Sequence, residues 1–180
     1  MKLKRALSLA PLQIAQAAIG FGAIAAFTRL MSPEAFGEYA LALSVSMFAH
    51  TMVFTWAEAA AFRFFAAAKA EGRLADHFAT LIVLALLLGM TALGVTAGLL
   101  ALAGVGEHMA ALAIFAAASA VFRFMTRLAR ESDRADLDLP RYAFAESVYL
   151  VLGFAAGVGL LTAFDLGPAA PFAGLLLSGL

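Results

Sequence analysis

Four arginines at helical spacing are the residues in this 180-residue chain best suited to holding an anion. Ser119, Arg123, Arg127, Arg130 and Arg134 recur at intervals of 4, 4, 3 and 4, which gathers them into one stripe on a helix. A guanidinium presents paired donors that match the oxygens of a phosphate or carboxylate. A second stripe, Ser44, Thr51, Thr55 and Glu58 at intervals of 7, 4 and 3, falls within about 60° on a helix turning about 100° per residue. Its carboxylate is suited to a cation or proton, or to pairing with an arginine of the first stripe. Gln13, Gln16 and Gly20 make a smaller polar face. His50 lies nearly opposite the Glu58 stripe and reads as a packed side chain. Arg63 is turned about 140° from Glu58, so it is no helical partner for it.

Other chemistries are poorly served. The chain has no cysteine, and His50, His77 and His108 are scattered, so neither a disulfide framework nor a metal-ligand cluster is expected. No Walker-type glycine-rich loop suggests a nucleotide-driven pump, no basic patch with interleaved aromatics suggests nucleic acid, and no cofactor is implied. Asp133, Asp136 and Asp138 stand beside Arg134 and Arg141. Membrane enzymes that act on lipid pyrophosphates hold magnesium with such clusters. Asp133-Arg-Ala-Asp136, however, has no following glycine and no second acidic motif, and reads as a solvated loop. A membrane-embedded lipid-pyrophosphate enzyme therefore stands as an alternative of another class, beside a helical subunit that transports nothing.

The elements that position these residues follow from composition. Hydrophobic residues make up 64% of the chain and charged ones 13%, with a mean hydropathy of +0.94, the profile of an all-α integral membrane protein. Lipid tails need no polar covering, whereas a soluble surface would. Ala6 to Thr28 is uncharged over 23 residues. That is longer than a signal-peptide core and about 35 Å as a helix, enough for a hydrocarbon layer of about 30 Å, so it reads as a retained first span. Spans are expected at 6–30, 35–68, 78–103, 109–130 and 142–164, with a sixth run at 169–180 too short to cross. The expectation is a polytopic bundle of about six transmembrane helices forming one domain over 1–180, the last truncated, as in an N-terminal piece of a longer protein.

Charge placement sets the orientation. With the N-terminus in the cytoplasm, eleven of the twelve lysines and arginines fall on the inner side and Arg29 alone lies outside, as the positive-inside rule requires. Counting from Met109, Arg123 then lies about 9 Å within the inner boundary, while Arg127, Arg130 and Arg134 lie at or beyond it. Those three serve as topology anchors that reach the headgroups, paired with Glu131, Asp133, Asp136 and Asp138. A charge at the depth of Arg123 needs a partner or a function. Two readings are open: an ion pair with Glu146 at the start of the fifth span, or a guanidinium kept for pyrophosphate oxygens. Glu58 sits near the inner boundary of a 34-residue run.

Between the first two spans stands FTRLMSPEAFGEYALA, Phe27 to Ala42. Ser32 suits an N-cap, Pro33 the first helical position, and Glu34 the positive first turn. Arg29 complements the C-terminal end of span one, and Phe36 and Tyr39 suit an outer interface. Gly94-Val-Thr-Ala-Gly98 and Gly153-Phe-Ala-Ala-Gly157 are spacings that let helices approach closely, although an Ala- and Gly-rich chain produces them by chance as well. The hairpin pattern, Thr28-Arg-Leu-x-x-Pro33-Glu-x-Phe36-Gly-x-Tyr39, resembles the first-hairpin signature of the polysaccharide biosynthesis (oligosaccharide-lipid flippase) family of the multidrug/oligosaccharidyl-lipid/polysaccharide exporter superfamily. RADLDLPRYAFAE, Arg134 to Glu146, looks like the looser Arg, Tyr, Glu segment that opens that family's fifth span.

The resemblance implies a fold of two six-helix bundles around a central cavity, of which this sequence would supply most of the first. It implies a transporter that moves lipid-linked oligosaccharide or polysaccharide precursors, usually on polyprenyl pyrophosphate, between leaflets of the bacterial plasma membrane without making or breaking a bond. Such cargo calls for a water-filled, cationic groove shielded from lipid. The candidate cargo contacts are Arg123, Glu58, Thr51, Thr55, Ser44 and Gln16, with Arg123 and Glu146 as the candidate structural pair and the coupling ion open. A drug or cation antiporter of the same broad fold is the alternative within transport.

Overall fold

The computed structural model describes residues 2–135 and 139–179, with side chains from 12 to 128 and from 140 to 179. The described residues are 92% helical, and no strand occurs among them. In order it forms α1 (Lys2–Leu30), α2 (Pro33–Ala49), a π turn (His50–Phe54), α3 (Thr55–Ala70), α4 (Leu74–Leu102), α5 (Glu107–Ala135), α6 (Leu139–Phe164), a 3₁₀ turn (Gly167–Ala169) and α7 (Ala170–Leu177). Four segments are long and apolar enough to cross a membrane: Pro33–Ala70, Leu74–Leu102, Glu107–Leu128 and Pro140–Phe164. The chain is a membrane protein of the all-helical class. α1 is a continuous helix of 29 residues, about 43 Å long at the usual rise, and covers the residues of the expected first span, 6–30, although it is not one of these four segments. Within the run expected at 169–180, too short to cross, the described residues form α7, a helix of 8 residues.

Two compact units divide the chain, one from 1–39 with 136–180 and one from 40–135. In the first, α6 packs on both α1 and α7. Phe27 and Met31 of α1 are buried with Leu161 and Ala170, and Phe36 and Tyr39 close over them. The rings meet edge-on or tilted: Phe27 to Tyr39 at 5.5 Å, Phe27 to Phe154 at 6.1 Å, and Tyr39 to Phe172 at 5.5 Å. Such pairs add a few tenths to about 1.5 kcal/mol beyond simple contact. Phe36 and Tyr39, expected at the outer interface, therefore also build packing inside this unit. The caps form as their residue types require: Ala35 N–H donates to Ser32 Oγ at 3.2 Å, and Arg29 stands in the last turn of α1.

α7 reaches α6 through glycine. A Cβ placed on Gly174 would lie 2.6 Å from Gly157 Cα and 2.5 Å from Gly153 O, closer than any real side chain approaches backbone. The Gly153/Gly157 spacing is thus a seat for α7. Gly94 and Gly98 meet nothing within 4 Å, so that second spacing is unused within the described residues.

In the second unit, α3, α4 and α5 pack on one another and on the π turn. Phe54, at the end of that turn, is fully buried and stacks on Phe124 with centroids 4.6 Å apart, beside Ala57 and Ala85. Val121 of α5 occupies the space over Gly89 of α4, where a Cβ would come within 2.7 Å of it. α3 and α4 both end in glycine with positive φ, Gly72 at 70° and Gly104 at 63°. The following N–H groups reach back to helix carbonyls, Arg73 to Ala68 at 2.8 Å and Val105 to Leu100 at 3.2 Å, which satisfies groups the helix ends would leave bare. Large apolar side chains such as Leu87, Met90 and Leu99 stand exposed on α4, as a lipid-facing helix requires.

Candidate functional site

A charged cluster on helices long and apolar enough to cross a membrane lies in the second unit. Glu58 of α3 sends Oε2 to within 3.7 Å of Arg127 Nη1 on α5 and Oε1 to within 3.6 Å of His50 Nε2. These distances exceed those of hydrogen bonds, so charge rather than directional bonding holds the contact. Pairing with an arginine of the basic stripe was one of the two roles open to Glu58 from sequence. The side chains of His50 and Glu58 are 15% and 14% exposed, that of Arg127 33%. The arginine is the accessible member.

His50 is the residue that spacing alone misplaces. On a straight α-helix it would stand about 80° around from Glu58 and about 100° to 140° from Thr51, Ser44 and Thr55. The π turn changes this, because a turn closed five residues back holds about one residue more than the 3.6 of an α turn. One π turn and one α turn together take up about eight residues, the separation of His50 and Glu58. The turn closes where Thr55 N–H donates to the His50 carbonyl, with Thr55 Oγ1 3.4 Å from the same oxygen. With Nε2 facing a carboxylate, the imidazole tautomer carrying hydrogen on Nε2 is favoured, which leaves Nδ1 an acceptor. Nδ1 is buried with no hydrogen-bond partner among the described residues.

The same turn splits the expected polar stripe. Ser44 precedes it and lines an apolar groove of about 390 Å³ together with Phe48, Met52, Thr91, Val95 and Leu99, whereas Glu58 follows it and meets α5. Ser44, Thr51 and Thr55 are exposed. Ser44 Oγ donates to the Ala40 carbonyl at 2.8 Å, and a hydroxyl satisfied within its own helix needs no polar surroundings. Gln13 and Gln16 are exposed on α1.

Arg123 stands one turn before Arg127 on α5, half-buried, and its charge and that of Arg127 both act on the His50 ring. Within its own unit Arg123 makes no ion pair among the described residues. Glu146 is buried on α6 in the first unit, on the face that also buries Tyr142 and Tyr149. Because Arg123 and Glu146 belong to different units, their pairing stays an expectation. The side chains of Arg130, Glu131, Asp133, Arg134, Asp136 and Asp138 lie outside the described residues, so their anchoring role and the acidic-cluster alternative do too. Among the described residues no group of three or more His, Asp or Glu side chains is placed to hold a metal ion.

Chemically, the Glu58 carboxylate stands beside the Arg127 guanidinium and the His50 ring, with Arg123 one turn away on α5. No family model, no curated protein and no solved structure matches the chain.

Proposed function

We propose that the chain contributes the first of two helix bundles in a flippase, which carries lipid-linked oligosaccharide or polysaccharide precursors across the bacterial plasma membrane with its N-terminus in the cytoplasm. About six spans, α1 and the α7 region included, would make up that bundle. The observation that carries the reading is the Arg123–Arg127 pair: two half-buried guanidiniums one turn apart on a helix long and apolar enough to cross a membrane, with the Glu58 carboxylate near Arg127. A polyprenyl pyrophosphate head needs such donors in a place that excludes bulk water. The hairpin pattern at Thr28 to Tyr39 supports the same reading by resemblance.

Deleting the gene should leave the lipid-linked intermediate on the inner leaflet. Restoring Arg123→Lys should return flipping in part, because an ammonium lacks the paired donors. Arg123→Ala should return none while the protein still accumulates in the membrane. Normal flipping by Arg123→Ala removes the headgroup assignment. Altered drug sensitivity with intact surface glycans would instead identify a drug or cation antiporter.

A further inference from the structure

We infer that the turn between α3 and α4, with the exposed face of α4 that follows it, forms a slot for one phospholipid whose head is a phosphoethanolamine. The head sits at the turn and an acyl chain lies along α4. Neither the slot nor its occupant draws on the residues assigned to cargo.

Three observations support it. First, a polar mouth runs on into an apolar groove. A cavity of about 550 Å³ lies between α3 and α4, with Glu71, Arg73, Asp76 and His77 at the turn and Ala60 and Phe64 farther along α3. It shares Thr80 and Leu84 with a second cavity of about 430 Å³, whose other walls are Ala79, Val83 and Leu87. The Thr80 hydroxyl donates to the Asp76 carbonyl at 2.8 Å, so polar demand ends there. From Asp76 to Leu87 the axis of α4 runs about 16 Å, charged groups at one end and hydrocarbon at the other. Val83 and Leu87 are exposed on a helix long and apolar enough to cross a membrane, where acyl chains are the surrounding medium.

Second, the mouth offers groups of both signs side by side. Arg73 Nε donates to Glu71 Oε2 at 2.9 Å, and both side chains are more than half exposed; a pair of this kind contributes little and opens readily. The Asp76 side chain makes no hydrogen bond or ion pair among the described residues, although its charge reaches Arg73 through space. The other cations of α3 lie over rings, Arg63 over Phe64 and Lys69 over Phe65, each at 5.9 Å, and neither lines the mouth. α4 begins at Arg73 without a side-chain cap, so the guanidinium and the positive helix end favour a phosphate, and the carboxylates of Asp76 and Glu71 favour an ammonium. A primary ammonium brings three N–H donors to those carboxylates; a trimethylated one brings none, which selects ethanolamine over choline. The match lies in the arrangement of donors and acceptors and does not depend on the sum of charges. Third, His77 lines the same cavity, and its Nε2 is shut from solvent with no hydrogen-bond partner among the described residues. Leaving that atom unpaired is costly, and a ring turned toward a head in the mouth gains a partner.

The test uses the whole chain purified in a mild detergent and titrated with palmitoyl-oleoyl phosphatidylethanolamine, phosphatidylcholine or phosphatidylglycerol, with binding read by native mass spectrometry. Phosphatidylethanolamine should bind about five-fold more tightly than either other lipid, the upper scale of one exposed charge contact. Asp76→Asn should bring it down to the level of phosphatidylcholine, and Asp76→Glu, which keeps a carboxylate, should retain the preference. Val83→Trp fills the groove and should weaken all three lipids alike. Equal affinity for the three, or tightest binding of phosphatidylglycerol, overturns the inference. So does a preference that survives Asp76→Asn, because Asp76 then serves only the positive end of its own helix. A dimer that Val83→Trp abolishes and phosphatidylethanolamine does not displace gives the groove to a second copy and overturns it as well. Circular dichroism checks folding. Where Asp76→Asn does not fold, Glu71→Gln, at an exposed position of the same mouth, must lower the preference.

Discussion

Deleting Met52 should leave the second unit folded, although a deletion inside a packed helix normally rotates everything beyond it by about 100°. The buried positions along this stretch are Ala42, Ser46, Ala49, Phe54, Ala57, Ala61 and Phe65. Their intervals are three or four residues except for the five from Ala49 to Phe54, which the π turn absorbs. Removing one residue there makes the interval four, and an unbroken α-helix then presents the same seam. Met52 itself is 61% exposed, so little packing leaves with it. His50 and Glu58 would be seven residues apart, close to two α turns, and still aligned. Stability should stay within about 1 kcal/mol of the parent, tending upward as a regular hydrogen bond replaces the wider one. Deleting Ala60 instead keeps the π turn and swings Ala61 and Phe65 out of the seam. Phe65 is 5% exposed, and losing the packing of a buried phenylalanine costs about 3 kcal/mol. Equilibrium unfolding in mixed micelles of increasing dodecyl sulfate fraction, followed by circular dichroism, compares the two. Equal damage from both deletions would refute the account of the turn as an inserted residue.

Two further outcomes follow from the packing and the charge pattern. Gly174→Ala should destabilise the first unit by about 1–3 kcal/mol through overpacking, since its Cβ would press on the backbone of Gly157, while Gly94→Ala, in open space, should stay within about 0.5 kcal/mol; both are read in the same unfolding assay. Because the chain has no native cysteine, single substitutions report topology cleanly: in intact cells a membrane-impermeant maleimide should label Ser32→Cys and Gly106→Cys and spare Glu71→Cys and Ser132→Cys, and the reverse pattern would overturn the proposed orientation.

Helix positions were legible because hydropathy and end chemistry act locally. Expected spans at 78–103 and 142–164 correspond to Leu74–Leu102 and Leu139–Phe164, and Ser32, Gly72 and Gly104 cap ends with the groups their types dictate. Packing partners were less legible, because two identical Gly-x-x-x-Gly spacings differ only in what the rest of the chain brings to them. Gly153 and Gly157 receive Gly174, whereas Gly94 and Gly98 receive nothing nearby. The sequence around Gly94 contains no mark of that difference.

His50 shows why the site was only half visible. A stripe drawn at a constant 100° per residue assumes that every turn is an α turn, and one inserted residue is enough to move Ser44 away from Glu58 and His50 onto it. A signal for the insertion does exist in the small residues that line the seam: Ala42, Ser46 and Ala49 step by four and three, Ala57 and Ala61 by four, but Ala49 and Ala57 are eight apart where two α turns take about seven. A seam of small residues that slips by one register, with a bulky Phe54 filling the gap against Phe124, is the spacing a π turn leaves in a helix. Such a turn forfeits regular hydrogen bonds in a layer where no water replaces them, so its retention calls for a compensating contact. The contact it preserves across the inserted residue is the approach of His50 to Glu58, which makes the insertion and the charge cluster two aspects of one feature.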